Sequence, residues 1–347
     1  MHMADALISP AVGGTMWAVT AGVAAYSIKK VQSEMDDHKV PLMGVLGAFV
    51  FAAQMINFSI PGTGSSGHLG GGLLLAILLG PYAGFLVMIS ILTVQAFFFG
   101  DGGLLALGCN SFNLGFYSCF IAYPLIYKLI VRNQMNQRRI FWGAFLAGIV
   151  GLQLGAFSVV LETLFSGISE LPFKTFVLLM QPIHLAIGIV EGLVTAAVVS
   201  FVYKARPEII QHATTAKPIG NFPIKRVLIG LLIIAVITGG ALSWFASTYP
   251  DGLEWSMSKT SGQEELASHN PIHRILSKIQ EKTAFLPDYN FKQTAPEPPA
   301  PAEEKSPSWP DVNRGTSVAG LVGAVITLFL AGLIGFGLRL IKKRTKI

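Results

Sequence analysis

The chain has 347 residues, of which 52% are hydrophobic and 13% charged. That balance excludes a water-soluble globular fold and predicts an all-α polytopic membrane protein, because apolar runs of about 20 residues cross a bilayer core as helices. The formal net charge of +6 has no arginine-rich aqueous loop behind it, so it reports orientation in the lipid bilayer and not a nucleic-acid partner.

The terminus Met1-His2 comes first. No basic residue precedes Lys29 and no cleavage-type pattern precedes the first apolar run, so a removable signal peptide is not expected. A bulky residue at position 2 should also keep Met1 in place. The Met1 α-amine, the His2 backbone nitrogen and the His2 imidazole can then close fused five- and six-membered chelate rings around one metal, leaving one equatorial position. His68, in the glycine-rich loop Ser66-Gly-His-Leu-Gly-Gly71, can fill it. Four nitrogens in a plane suit Ni(II), Cu(II) or Co(II). The plainer alternative is an interfacial histidine and an unrelated loop histidine.

Nine apolar helical segments are expected, near 11–28, 42–59, 70–80, 82–99, 111–131, 140–164, 176–203, 227–246 and 317–340. Lys29, Lys30, Lys39, Lys128, Arg132, Arg138, Arg139, Lys204, Arg206, Lys217, Lys225, Arg226 and the tail from Arg339 to Lys346 fall in alternate loops, whereas the short opposite loops hold only Lys174. The positive-inside rule then puts the amino terminus outside and the carboxyl terminus in the cytoplasm. Keeping that parity requires the run from Gly70 to Phe99 to cross twice, with Gly80-Pro81 as the break. At 1.5 Å per residue its first limb is too short to span, so a broken hairpin is expected, with His68 beside a cavity on the same side as His2.

Polar residues within apolar spans are expensive and read first as functional. Gln54 and Asn57 stand one turn apart before the His68 loop, and Gln95 lies near the outer end of the fourth span; each amide taken alone reads first as joining helices and second, as does Asp5 near the terminus, as a candidate to support a metal-bound imidazole. Gln181, His184, Gly188 and Glu191 share one face of the seventh span. They are read as a buried structural seam first, a later stop for a metal or proton second, and a partner contact third. Cys109 and Cys119 have no zinc or redox spacing; a disulfide between them is possible but not deducible.

After Arg226 the character changes. One span leads to Tyr249-Pro-Asp-Gly-Leu-Glu-Trp255, then to a short amphipathic helix started by Asn270-Pro271 and carrying Ile272, Ile275, Leu276 and Ile279. His269 and His273 are four apart, but Pro271 leaves His269 outside that helix, so the pair is read as incidental. Ala295 to Pro310 reads as an extended linker before the last span.

Met-His-Met-Ala-Asp-Ala-Leu-Ile-Ser-Pro at the start, Phe51-Ala-Ala-Gln-Met-Ile-Asn-Phe58, Ser66-Gly-His-Leu69, Leu79-Gly-Pro-Tyr-Ala-Gly84, Val94-Gln-Ala96 and Asp101-Gly-Gly103 together resemble the CbiM/NikM family. These are the substrate-binding membrane subunits of energy-coupling-factor transporters for nickel and cobalt. The resemblance covers roughly residues 1–205, with Met3-Ala4 and Ala6 departing from the family's Ile-Pro and Gly. It implies metal ligation by Met1, His2 and His68, with Ni(II) or Co(II) as transported substrate and no organic cofactor. It also implies a transmembrane coupling subunit and two cytoplasmic ATPases as partners, and a prokaryotic cytoplasmic-membrane location. The part from 223 to 347 resembles the family's small accessory subunit through Pro250, Asp251, Gly252, Leu253 and Glu254, giving expected modules 1–222 and 223–347, the second with an outer segment 247–316.

No G-x-x-x-x-G-K-[ST] phosphate loop occurs, so ATP hydrolysis is expected elsewhere. An intramembrane metalloenzyme is the first rival, but the chain has no H-E-x-x-H and only Asp5 lies close in sequence to the ligands. A structural or signalling membrane protein without a transported substrate is the second.

Overall fold

In the computed structural model, residues 1–169, 171–263, 266, 270–292 and 309–344 are described. The apolar runs fold as helices in the expected order. Ser9 caps α1 (Pro10–Val31), its Oγ accepting from Val12 N, and Pro10 takes the first helical position, where its missing N–H leaves no bond unmade. Then come α2 (Lys39–Gln54), α3 (Gly72–Leu79), and α4 (Pro81–Val94) with its π-helical extension Gln95–Phe99. After these stand α5 (Leu107–Val131), α6 (Gln137–Ser166), α7 (Phe173–Ala205) and α8 (Pro207–Thr214). The remainder forms α9 (Lys225–Gly240), α10 (Gly252–Ser261), α11 (Pro271–Thr283) and α12 (Arg314–Arg344).

The chain is a polytopic membrane protein. Among the described residues six helices, α1, α4, α5, α6, α7 and α12, are long and apolar enough to cross a membrane. α2 and α9 have 16 residues each and α3 has 8, so these three are shorter than a full span. The short limb α3 is buried along its whole length, as an apolar half-helix must be when protein surrounds it. Gly80, at φ +83°, ends it, and Pro81 starts α4.

Two features depart from the expected pattern. The second helix stops at Gln54, not near 59, and a two-stranded antiparallel sheet follows: β1 (Phe58–Ile60) pairs with β2 (Ser65–Gly67), Ser59 opposite Ser66. The turn between them contains Gly62 and Gly64, both at positive φ, which only a residue without a Cβ adopts freely. Asn57 therefore lies beyond α2 and not one turn above Gln54; its carbonyl accepts from Ser247 N at 2.7 Å. The hairpin carries the chain straight into His68.

α12 packs along α2, with Gly44 bringing the helices so close that a Cβ there would stand 2.8 Å from the Leu328 carbonyl oxygen. The part of the chain after Arg226 is thus joined to the bundle at its last described helix. At the basic end, Lys342 Nζ donates to the carbonyls of Ser33 and Met35, Tyr203 OH to that of Met135, and Gly220 N to Asp36 Oδ2. These bonds gather the α1–α2 turn, the segment after α8 and the chain's last helix at one end. Cys109 and Cys119 are both free and buried. His269 and most of the expected linker, residues 295–308, lie outside the described residues.

Candidate metal centre

The terminal peptide is clamped into the bundle beside His68. Met3 N donates to Asn110 Oδ1 at 2.8 Å, Asn110 Nδ2 returns a bond to the Met3 carbonyl at 3.2 Å, and Gly103 N donates to the same carbonyl at 2.9 Å. Asp5 Oδ1 accepts from Ala106 N at 2.9 Å. Asp5 is therefore an anchor of the terminus on the Asp101–Ala106 loop. Gly103 has no alternative there, because an added Cβ would fall 1.9 Å from Asp5 Oδ1.

That clamp delivers the Met1 amine to His68, 3.3 Å from its Nε2. His68 Nδ1 lies 3.0 Å from the Leu69 carbonyl. A carbonyl only accepts, so Nδ1 carries the proton and the Nε2 lone pair faces the amine. The His2 ring stacks on that of His68, with centroids 4.9 Å apart and planes 11° from parallel. Burial, then the positive charge on Met1, push both imidazoles down to about 3, so both are neutral, ligand-ready bases at pH 7. His2 Nδ1 stands 3.3 Å from Asp101 Oδ1, and Tyr289 OH donates to Asp101 Oδ2 at 2.5 Å. Buried His2 Nε2 and Gln95 Oε1 have no hydrogen-bond partner within the protein, although Gln95 lies against the imidazole.

The loop bearing His68 is held from two sides. Gln54 Nε2 donates to the Gly70 carbonyl at 2.8 Å, and Gln95 Nε2 donates to Gln54 Oε1 at 3.0 Å. The two amides thus form a relay to the loop backbone, with Gln95 also lying against the His2 ring. From the other side Glu191 accepts from Gly70 N at 2.9 Å and Gly71 N at 3.0 Å, so it touches His68 only through the loop backbone. Gln181 exchanges bonds with Gln153 across α6 and α7: Gln153 Nε2 donates to its carbonyl at 2.8 Å and its own Nε2 donates back at 3.4 Å. Gly188 lets those helices touch; a Cβ there would meet Ile149 Cα at 2.9 Å, the small-residue packing of membrane helices. His184 lies closer to the Met1–His68 pair. It lines a cavity of about 10 Å³ together with Met1, His68 and Asp251.

The motif Pro250-Asp-Gly-Leu-Glu254 closes the centre. Ser66 N donates to the Pro250 carbonyl at 2.8 Å, adding the segment to the hairpin edge. Asp251 then serves twice. Its Oδ1 caps α10 by accepting from Leu253 N at 2.8 Å and Glu254 N at 2.9 Å, while Glu254 Oε2 accepts from Asp251 N in return, a reciprocal capping box. Its Oδ2 accepts from the Met1 ammonium at 3.0 Å. Burial opposes ionisation of this carboxyl, but the ammonium and His68 hold it below the ordinary carboxylate range. Gly252 leaves room where a Cβ would lie 2.5 Å from Ile183 Cγ2, and Leu253 is buried.

The structure thus brings together Met1, His2 and His68, with Asp251 as a fourth group from a distant part of the chain. Asp101 and Asn110 were not singled out as site residues. The Asp101-Gly-Gly103 block, in a loop on the same side as His68, was the available signal for the first. On one side His2, His68, Asp101, Asp251 and Glu254 border a vestibule of about 890 Å³ walled in part by α11.

The family described as cobalt uptake substrate-specific transmembrane region matches residues 2–209, and the PDGLE domain matches 225–340. A putative fused nickel transport protein NikMN of Archaeoglobus fulgidus is 33% identical over 333 residues, 95% of this chain and 96% of that protein. A cobalt transport protein CbiM of Sorangium cellulosum is 28% identical over 221 residues, 61% of this chain and 95% of its own. Among solved structures, a transition metal transporter superposes with a TM-score of 0.53 at 33% identity, covering 61% of this chain and 96% of that one.

Proposed function

Because this chain belongs to the cobalt uptake substrate-specific transmembrane region family, we propose that it is the substrate-binding subunit of an energy-coupling-factor transporter. It captures Ni(II) or Co(II) for import. The observation that carries this is the Met1 amine facing the His68 Nε2 lone pair at 3.3 Å, with the His2 ring stacked alongside.

Three changes complete the chelate. The ammonium loses a proton and leaves Asp251; the His2 amide nitrogen loses its proton; and His2 Nδ1 exchanges its contact with Asp101 for the metal. Once Nδ1 ligates, the ring proton resides on Nε2, and Gln95 Oε1 is the adjacent acceptor. Binding therefore releases protons and weakens in acid. A planar set of four nitrogens leans toward nickel, while intrinsic affinity favours copper over both metals, so availability and cavity shape decide the cargo.

Residues 1–222 form the metal-binding module and 223–347 the accessory module, whose Asp251 holds the amine until metal arrives. The chain acts as a transport subunit and not an enzyme. The energy comes from partners, a transmembrane coupling subunit and cytoplasmic ATPases, at a prokaryotic cytoplasmic membrane with the amino terminus outside. The test is metal content and absorption of the purified chain with its native terminus, beside His2→Ala and a variant with one residue added before Met1. One equivalent of nickel with a square-planar d–d band, lost in both variants, is expected; metal retained in both refutes the amino-terminal chelate.

A further inference from the structure

His184 is the one member of the α7 seam that the chelate leaves unexplained. It is 1% exposed, and its Nδ1 lies 2.8 Å from the Met180 carbonyl of its own helix. The carbonyl must accept, so Nδ1 bears the proton and Nε2 keeps a lone pair. That Nε2 is buried with no hydrogen-bond partner in the protein. An unsatisfied buried acceptor costs about 1–3 kcal/mol, and an apolar side chain in the same place would avoid that penalty.

The Cε1 atom between the two ring nitrogens faces Gly252; a Cβ on that glycine would lie 3.2 Å from His184 Cε1. There His184 lines the small inner cavity with Met1, His68, Asp251 and Gly252. The outer vestibule is bordered by His2, His68 and Asp251 but not by His184. His68 and Asp251 therefore border both spaces, with His2 on the outer side and His184 on the inner. At about 10 Å³, the inner space suits one water-sized group or ion.

We propose that the inner cavity is a second metal station, in which Ni(II) or Co(II) is held by His184 Nε2, His68 Nε2 and the Asp251 carboxylate after it leaves the amino-terminal chelate. The proposal rests on the chelate reading above. His68 stays bound throughout, so the ion exchanges ligands without becoming free. Moving inward, the metal releases the Met1 amine and both nitrogens of His2, whose amide nitrogen regains a proton, and gains one imidazole and one carboxylate; no electron moves. The inner set is a mixed nitrogen–oxygen one that imposes no plane, so it accepts the non-planar coordination that cobalt favours. Among the described residues no three metal-ligating side chains are already gathered as a finished site. The station is completed only when Asp251 lets go of Met1, which ties it to loading of the first site.

The test uses the full chain in lipid nanodiscs with Co(II) or Ni(II) alone as probe. His184→Gln in the otherwise unmodified chain should keep the square-planar nickel spectrum with affinity changed less than threefold, which also shows that it folds, while uptake by cells carrying the partner subunits falls at least tenfold. In a His2→Ala background, one Co(II) should still bind in a non-planar site, at least tenfold more weakly when His184→Gln is added. His184→Cys in that background should give a thiolate-to-cobalt charge-transfer band. Unchanged uptake, loss of the planar site along with His184, equal Co(II) binding with and without His184, or no charge-transfer band would each overturn the station. Absence of the planar spectrum from the unmodified chain would count instead against the amino-terminal chelate.

Discussion

Glu191→Gln tests whether the His68 loop is held from below. The carboxylate accepts two bonds, from Gly70 N and Gly71 N, at a position that is 2% exposed. Glutamine keeps the volume, but its amide offers one oxygen; its NH2 group then faces the second N–H, leaving one buried donor unsatisfied at about 1–3 kcal/mol. If that strain is relieved by letting the loop shift, His68 leaves its place opposite the amine and the penalty appears in metal affinity. At about 1.4 kcal/mol per tenfold, nickel binding should weaken roughly 5- to 150-fold. Isothermal titration of the nanodisc-reconstituted chain measures it, with thermal unfolding of the metal-free protein beside it to show any share taken as lost stability. Affinity within twofold of the parent, with unchanged unfolding temperature, would refute the idea that Glu191 positions the ligand loop.

Further outcomes follow from the same geometry. Gly103→Ala forces a Cβ onto Asp5 Oδ1 and should dislodge the terminus, so bound nickel falls well below one equivalent while helical circular dichroism is kept. Asp251→Ala removes the partner of the Met1 ammonium and the cap of α10, the cap alone being worth about 1 kcal/mol. The metal-free protein should lose more stability than the nickel-loaded one, since metal replaces that ion pair, and equal losses in unfolding temperature would argue against the exchange. His2 and His68 are held neutral down to about 3, against about 6.5 when unfolded. Between those values the unfolded chain binds more protons, so metal-free stability should fall as pH drops from about 6.5 toward 3, by up to about 1.4 kcal/mol per pH unit for each histidine. His68→Gln should flatten that slope in denaturation measured across the range.

Hydropathy was enough to find the long apolar helices, since such segments have few other ways to satisfy their backbone in lipid. The break at Gly80-Pro81 was equally legible, because glycine and proline punctuate a helix by local geometry. The hairpin at 58–67 was not: each strand has three residues, too short for a period, and its β-turn glycines look like those of any loop. Met1, His2 and His68 could be linked on ligand chemistry taken with loop topology and the family resemblance. The contact of Asp251 with Met1, 250 residues apart, could not, since no local rule says which carboxylate a buried ammonium will meet. The Gln54–Asn57 pairing failed because α2 ended a turn early, and Glu191 proved to reach the site through backbone amides that carry no side-chain signature.

Asp251 is delivered to Met1 by a segment hydrogen-bonded to the β2 edge through Ser66 and covalently continuous with the bundle it closes. A tethered ligand of this kind acts at an effective concentration set by its connecting chain, typically in the millimolar range for short connections. Occupancy of the amine by the carboxylate is then independent of how much accessory protein the cell makes. A relative that carries this segment on a separate polypeptide would have its resting state governed by expression level, whereas here the stoichiometry is fixed at one to one by the gene.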